Sequence, residues 1–101
     1  LFRYSDVYKE ALAIAQSNPE TQQALGTPIE AGFLVSGNIS VSGDSGRANL
    51  SIPIHGPKGT GRLYLEATKV QGKWTYQKLM VQVDKGPRID LLDAANSSNA
   101  I

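Results

Sequence analysis

Apolar residues near the N-terminus recur every three to four positions, which places them on one face of an α-helix. Ser5 precedes this segment and Asp6 begins it, as expected for a helix N-cap and an acidic first turn. The pattern predicts a helix over residues 6–17. Its apolar face consists of Val7, Tyr8, Ala11, Leu12, Ile14 and Ala15.

A second, short helix is predicted directly after the first. Asn18 is a good N-cap residue, Pro19 suits the first helical position, and Glu20 favours the positive end of the helix dipole. Gly26 is the expected C-cap, and Pro28 prevents the helix from continuing.

From about Ile29 the apolar residues alternate with polar ones, which indicates β-strands with one buried face. Glycine-rich segments at 43–46, 55–60 and 71–72 divide this region, and the last suits a two-residue hairpin turn. Folding the chain at these turns predicts a four-stranded antiparallel meander. The predicted pairs include Val41 with Ala48, Ile39 with Leu50, Gly37 with Ile52, Val35 with Ile54, Ile52 with Leu63, Leu50 with Leu65, Ala48 with Ala67, Ala67 with Tyr76 and Leu63 with Met80.

The three predicted registers agree, because all of them place the same apolar residues on one face of the sheet. A slip of one residue would expose that whole set, so the agreement supports the meander. The opposite face is predicted to be polar and solvated. It carries Ser36, Asn38, Ser40, Ser42, Asn49, Ser51 and Glu66.

Two irregularities interrupt the alternation. Apolar residues change from even to odd numbers after Tyr76, which predicts a β-bulge near Gln77 and Lys78. Pro53 has no N–H to donate, so we expect it at a strand end, at a bulge or on an unpaired edge. A last short strand is predicted over residues 88–92.

These elements predict an α+β fold, because a sheet with one apolar face must be covered and the two helices are the amphipathic elements at hand. We expect an N-terminal helix and a short second helix to pack on one face of an antiparallel β-meander of four to five strands. The single domain is predicted over residues 1–92, followed by a flexible polar tail over residues 93–101.

Composition excludes several classes of site. The chain has 101 residues, a formal charge of +1, no cysteine and one histidine. Disulfides, thiolate sites and multi-histidine metal sites are therefore excluded, and the near-neutral charge argues against nucleic acid as a partner. We predict no cofactor and no metal. The chain begins at Leu1, so we expect a processed segment whose leader or anchor lies upstream.

No pattern in the chain indicates catalysis. The segment Gly56–Gly61 is rich in glycine, but it lacks the Gly-Lys-Ser/Thr end of a P-loop and a strand follows it. No nucleophile or orienting carboxylate lies at a spacing from His55 that would indicate a catalytic site. The carboxylates do not occur in pairs that would indicate an acid–base site. We therefore predict a protein that is not an enzyme.

Basic residues concentrate in one part of the chain. Residues 58–88 hold seven Lys and Arg against two Asp and Glu, a net charge of +5. Such a surface could attract an acidic protein or an anionic membrane, although lysines also solvate strand edges. Trp74 is predicted opposite Lys69, as a lid at the edge of the core or as a contact residue. The candidate partner-binding residues are Lys58, Arg62, Lys73 and Trp74.

Four parts of the chain form a recognisable combination: Ala24-Leu25-Gly26-Thr27-Pro28-Ile29, Gly32, Ala48–Gly59 and Gly72-Lys73-Trp74. Together they resemble the cytochrome c oxidase assembly factor 1 family, which is related to a presequence-translocase subunit facing the mitochondrial intermembrane space. The resemblance covers about residues 5–92. It implies that the motif positions Gly26, Pro28, Pro53, Gly56, Pro57 and Gly59 shape the backbone, and that no catalytic residue is present.

The resemblance also implies a function. It describes a non-enzymatic domain, tethered by an N-terminal membrane anchor, that contacts respiratory-chain or translocase subunits during assembly of cytochrome oxidase. The domain would lie outside the inner membrane, in the periplasm or the intermembrane space. The alternative is a small periplasmic domain that binds a ligand or peptide, or inhibits an enzyme, through the polar sheet face and the His55–Thr60 loop.

Overall fold

The computed structural model of the protein describes residues 5–97, and these confirm the α+β prediction. Three helices accompany an antiparallel sheet that has six strands within this range. The elements are α1 (Asp6–Ser17), α2 (Pro19–Leu25), β1 (Glu30–Ala31), β2 (Ser36–Ser42), β3 (Ser45–Gly56), β4 (Gly59–Val70), β5 (Lys73–Val83), β6 (Arg88–Asp90) and α3 (Leu92–Ser97).

The caps of the first two helices are those that the sequence predicts. The Ser5 hydroxyl accepts a hydrogen bond from the Tyr8 backbone N–H at 3.3 Å, and the Asn18 side chain accepts one from the Thr21 N–H at 2.9 Å. Gly26 follows α2 with φ at +78°, a conformation that glycine adopts without steric cost. These local signals fix both ends of α2 within the chain.

The centre of the sheet also agrees with the prediction. Strands β3 and β4 have twelve residues each and pair along eleven of them, with Leu50 opposite Leu65. Strands β4 and β5 pair with Ala67 opposite Tyr76, and a register shift between Glu66 and Ala67 leaves Gln77 as the extra residue of a bulge. The predicted bulge is confirmed. It moves Leu63 from Met80 to Val81, so that predicted pair is wrong by one residue.

The first hairpin has a different register from the predicted one. Ile39 lies opposite Ala48 and Gly37 opposite Leu50, a displacement of two residues. The cause is the turn, which is formed by Gly43 and Asp44 because Gly43 takes a positive φ of +60° at the first central position. A shift of two residues leaves the same side chains on each face.

Val35 lies outside β2, and the residue that pairs with Ile54 is Ala31 of β1. Strand β1 was not predicted. It pairs with the end of β3, on the same edge as β2, so the strand order is β1-β3-β4-β5-β6 with β2 beside β3. Pro53 lies on β3 between the stretches that pair with β2 and with β1, and its carbonyl accepts the Gly32 N–H at 2.7 Å. Pro53 thus occupies a break in the pairing on that side, as expected for a residue without an N–H.

The core lies between one face of the sheet and the helices. The largest fully buried side chains come from all the layers, and α1 contributes small residues such as Ala11 and Ala15 that let it approach the sheet closely. Those side chains are Tyr76, Leu25, Leu50, Ile52, Ile54, Leu63, Leu65, Leu79, Ile89, Leu91, Val7 and Val81.

The C-terminal segment differs from the prediction in part. The short strand near residue 88 is present as β6, but Leu92–Ser97 form helix α3 where the polar composition predicts a tail beginning at residue 93. Ala95 is fully buried, and the Asn96 side-chain amide donates to the Tyr76 carbonyl at 3.2 Å. Packing against β5 thus orders the segment. Residues 98–101 of the predicted tail lie outside the described residues.

Candidate partner-binding site

One end of the sheet is joined to helix α2 and is here called the Lys58 end. It comprises the β3–β4 turn at Pro57 and Lys58 and the C-terminus of α2 at Leu25 and Gly26. The Lys58 N–H donates to the Leu25 carbonyl at 2.8 Å, and the Lys58 ammonium donates to the Gln23 carbonyl at 2.8 Å. A cation at a helix C-terminus is favourable, because the last carbonyls carry partial negative charge.

The predicted backbone-shaping residues gather largely at this Lys58 end. A Cβ at Gly56 would lie 2.3 Å from the Leu25 carbonyl oxygen, and one at Gly26 would lie 3.0 Å from side-chain carbons of Pro57 and Lys58. A Cβ at Gly59 would be in ordinary contact with α2, at 3.6 Å from the nearest atom. These close approaches show that the two halves of the sequence motif, residues 24–29 and 48–59, meet in space. The peptide bond between Thr27 and Pro28, in the first half, is cis.

Lys73 and Trp74 lie at the other end of β4, here called the Trp74 end, where the β2–β3 and β4–β5 turns meet. The Gly72 N–H donates to the Asp44 carbonyl at 2.9 Å and joins the two turns. The half-buried Trp74 is opposite Lys69, as predicted, and a Cβ at Gly46 would lie 3.2 Å from its ring.

A shallow depression of about 540 Å³ lies at the Trp74 end. Its charged lining is mixed, with two lysines and two carboxylates, and it does not form a basic site. The residues that line it are Asp6, Lys9, Glu10, Gly72, Lys73 and Trp74.

The four candidate partner-binding residues do not form one site. Lys58 and Lys73 flank the two ends of β4, whose twelve residues span about 40 Å at roughly 3.3 Å per residue. Arg62 lies on the uncovered face of the sheet, apart from both turns. The three basic candidates are thus distributed over three locations.

The uncovered face holds a cluster of three side chains near its centre, here called the open-face cluster: Arg62, Tyr64 and Lys78. The Arg62 guanidinium donates to the Ser51 hydroxyl at 2.9 Å, and the Lys78 ammonium lies 5.7 Å from the centre of the Tyr64 ring, a cation–π geometry. Arg62 and Tyr64 are half-buried, so their positions are largely fixed.

Sequence reasoning singled out Arg62 but missed Tyr64 and Lys78. The alternation along β4 did indicate the position of Tyr64. Tyr64 lies at an even-numbered position, as Arg62 and Glu66 do, and these positions project from the polar face. Lys78 could be placed on the same face only once the bulge at Gln77 was fixed.

The single histidine lies on β3, between residues of two neighbouring strands. His55 is exposed and lies between Glu30 and Thr60 in neighbouring strands, while the Thr60 hydroxyl donates to the Asp84 carboxylate at 2.5 Å. Residues 5–97 contain no group of three or more His, Cys, Asp or Glu side chains arranged to hold a metal ion.

Tyr76 is a titratable side chain buried in the core, and its pKa is shifted. Burial raises the pKa of its phenol well above the ordinary range, and the nearby Glu10 carboxylate raises this pKa further. The hydroxyl donates to the Val7 carbonyl at 3.0 Å. Tyr76 is therefore a neutral hydrogen-bond donor that ties α1 to β5 at neutral pH.

No helix among the described residues is both long and apolar enough to cross a membrane. No solved structure matches the chain. The chain is 31% identical over 84 residues to the human protein named cytochrome c oxidase assembly factor 1 homolog. This similarity covers 81% of the chain but only 58% of the human protein's length.

The sequence model of the family described as cytochrome oxidase complex assembly protein 1 matches residues 1–93, almost the whole chain. The match includes the α2 C-terminus and the β3–β4 turn, the two halves of the motif that meet at the Lys58 end. The chain therefore belongs to the cytochrome oxidase complex assembly protein 1 family.

Proposed function

We propose that the domain is a non-enzymatic protein-binding module, tethered to a membrane, that takes part in the assembly of cytochrome oxidase. Its partner is a protein with an acidic surface, and the open-face cluster is the contact. The observation that carries this proposal is the placement of Arg62, Tyr64 and Lys78 together on the uncovered face of a rigid sheet.

The open-face cluster suits protein recognition for two physical reasons. Tyrosine and arginine are enriched among the residues that dominate binding energy at protein interfaces. Arg62 is already held by the Ser51 hydroxyl, and Lys78 by the Tyr64 ring, so binding would immobilise few additional rotamers. Arg62 and Lys78 outnumber the exposed Glu66 opposite Lys78, so the face keeps a net positive charge, whereas the two lysines at the Trp74 end are balanced by two carboxylates. A net positive face favours an acidic partner surface and makes the association sensitive to salt.

The other candidates have weaker support as contacts. The Lys58 ammonium is engaged by the Gln23 carbonyl, which gives it a role in holding α2. Lys73 and Trp74 line a depression of mixed charge, where Asp6 and Glu10 would repel an acidic partner. We therefore assign the first contact to Arg62 and leave Lys73 and Trp74 as a comparison site.

The identity of the partner and the location rest on the family. The human relative is named as a cytochrome c oxidase assembly factor, which favours oxidase subunits or their assembly intermediates as partners. The resemblance to membrane-anchored domains supports a location outside the inner membrane, in the intermembrane space or the periplasm.

The test is co-purification from detergent-solubilised membranes with the full-length, anchored protein. Arg62→Ala with Lys78→Ala should lose most of the recovered oxidase subunits, and raising the salt from about 50 to 300 mM should weaken recovery by the native protein. Lys9→Ala with Lys73→Ala removes the same charge at the Trp74 end and should leave recovery unchanged.

Two outcomes would contradict the proposal. Recovery that survives the Arg62 and Lys78 changes but not the Lys9 and Lys73 changes would place the contact at the Trp74 end. Failure of the native protein to recover any oxidase subunit would remove the assembly partner itself. Circular dichroism of the variants would show that each is folded.

A further inference from the structure

The outer edge of strand β2 lacks the usual protection of a sheet edge. Strand β2 pairs with β3 on one side, and within residues 5–97 no strand pairs with its other side. Natural sheets protect such edges with charges, proline or very short strands, because unpaired N–H and C=O groups attract another strand. The seven residues Ser36–Ser42 contain no charge and no proline.

The other edges of the same sheet are protected. Strand β6 has three residues, two of which are the charged Arg88 and Asp90, and helix α3 follows it. Strand β1 has two residues and begins with the exposed Glu30. The long uncharged edge of β2 therefore differs from the other edges of the sheet as described over residues 5–97.

Apolar side chains lie along this edge, on the face of the sheet that carries the helices. The helices do not extend as far as β2, so these side chains are exposed or only partly buried. Val41 of β2 is 51% exposed and Ile39 is partly buried. Phe33 and Leu34, in the segment that leads into β2, have side chains that are 81% and 74% exposed. The apolar surface thus continues beyond the core along the unpaired strand.

We propose that a second copy of this chain pairs with the β2 edge, antiparallel and centred on Ile39, so that the two sheets become continuous. In this register Ile39 meets Ile39 of the second copy. Val41 meets Gly37 of the second copy, which has no side chain to oppose it. The polar face pairs Ser36 with Ser42 and Asn38 with Ser40, so no charges are brought together.

The area available fits a reversible dimer. A strand of seven residues is about 23 Å long, and its edge offers on the order of 500 Å² per copy with the adjoining apolar side chains. The two copies together would bury about 1,000 Å², which is below the roughly 1,200 Å² at which stable interfaces begin. A second copy suits such an edge because the strand is complementary to itself, and the dimer should form at high concentration. The proposal does not rest on the proposed function.

The first test is the mass of the 101-residue chain in solution as its concentration rises from about 10 µM to 1 mM, measured by sedimentation equilibrium. The native chain should approach twice its monomer mass. Val41→Lys should weaken the association by about tenfold or more, since it places a charge on the edge. Val70→Lys makes the same change at a 63% exposed residue of β4, which β3 separates from β2, and should associate like the native chain.

The second test uses the absence of cysteine from the chain. Directly opposed residues of antiparallel strands have Cα atoms about 5 Å apart, within the range that a disulfide bridges. Ile39→Cys should therefore oxidise to a covalent dimer. Val41→Cys on the same edge should not, because four residues along a strand separate the two sulfurs by about 13 Å. Ser40→Cys would cross-link instead if the pairing were centred one residue later.

A chain that stays monomeric at about 1 mM would overturn the proposal and leave the edge to an extended segment of another protein. Equal cross-linking of Ile39→Cys and a Val70→Cys control would also overturn it, because the reaction would then be random. Circular dichroism identifies any variant that fails to fold. Val41 is more exposed than Ile39, so Val41→Cys provides a second cysteine variant of the same edge with which to compare the cross-linking of Ile39→Cys.

Discussion

The two ends of the sheet are built differently, although each lies near one end of a helix. At the Lys58 end the backbone of the β3–β4 turn lies directly against the C-terminus of α2, so close that Gly56 has no room for a Cβ. At the Trp74 end a Cβ at Gly43 or Gly72 would meet no atom within 4 Å, and a side-chain hydrogen bond from Tyr76 to the Val7 carbonyl ties α1 to β5. Close backbone packing makes the first end intolerant of substitution, whereas the second should tolerate variation.

The substitution with the largest expected effect, Gly56→Ala, tests this difference between the two ends directly. Gly56→Ala would place a methyl group 2.3 Å from the Leu25 carbonyl oxygen, so α2 must move away from the sheet. We expect the free energy of unfolding to fall by about 3 kcal/mol or more, the range of strong overpacking. Urea denaturation at pH 7 would measure it.

The matched control is Gly72→Ala at the Trp74 end. Nothing lies within 4 Å of a Cβ there, so the cost is the left-handed conformation at φ +80° alone, about 1 kcal/mol. Equal losses in the two variants would show that the Lys58 end is no more rigid than the other.

A smaller effect is expected at the contact that holds α1. Tyr76→Phe removes the hydrogen bond to the Val7 carbonyl and should lower the free energy of unfolding by about 1 kcal/mol at pH 8. The raised pKa of the phenol adds a pH dependence. Because this pKa is higher in the folded than in the unfolded protein, the stabilisation is complete below about pH 10 and declines as the pH rises above it.

The phenylalanine variant has no such proton to lose. Its free energy of unfolding should therefore fall less steeply than that of the native protein above about pH 10, by up to roughly 1.4 kcal/mol per pH unit. Denaturation of both proteins at pH 8, 9, 10 and 11 would measure the difference. Parallel curves would show that Tyr76 ionises as readily in the folded protein as in the unfolded one.

The same contrast explains what the sequence could and could not predict. The central strands follow from alternation, because a slip of one residue would expose every apolar side chain. The register of β2 could not be fixed that way, since its error of two residues leaves the faces unchanged. Strand β1 has two residues and helix α3 six, both too short for a periodic signal, and α3 is ordered by packing that buries Ala95.

The candidate site was predicted less completely than the fold. Arg62 could be selected from charge, and Tyr64 follows from its place in the alternation of β4. The engagement of Lys58 could not be foreseen, because its partner Gln23 is 35 residues away and the contact depends on how α2 lies across the sheet. Charge density along a sequence does not distinguish a cation that binds a partner from one that caps a helix.

The substitution with the smallest expected effect, Lys58→Met, tests whether Lys58 caps a helix or binds a partner. Lys58→Met keeps the aliphatic part of the side chain and removes the cation from the Gln23 carbonyl, so we expect a loss of about 0.5 kcal/mol in the free energy of unfolding at low salt. The loss should shrink at about 500 mM salt, because helix-terminus electrostatics are screened. Lys73→Met at the Trp74 end is the matched control and should change the stability by less than about 0.3 kcal/mol. If Lys58→Met leaves stability unchanged but reduces recovery of oxidase subunits, Lys58 would be a contact residue, and the Lys58 end would be a binding surface as well as a rigid joint.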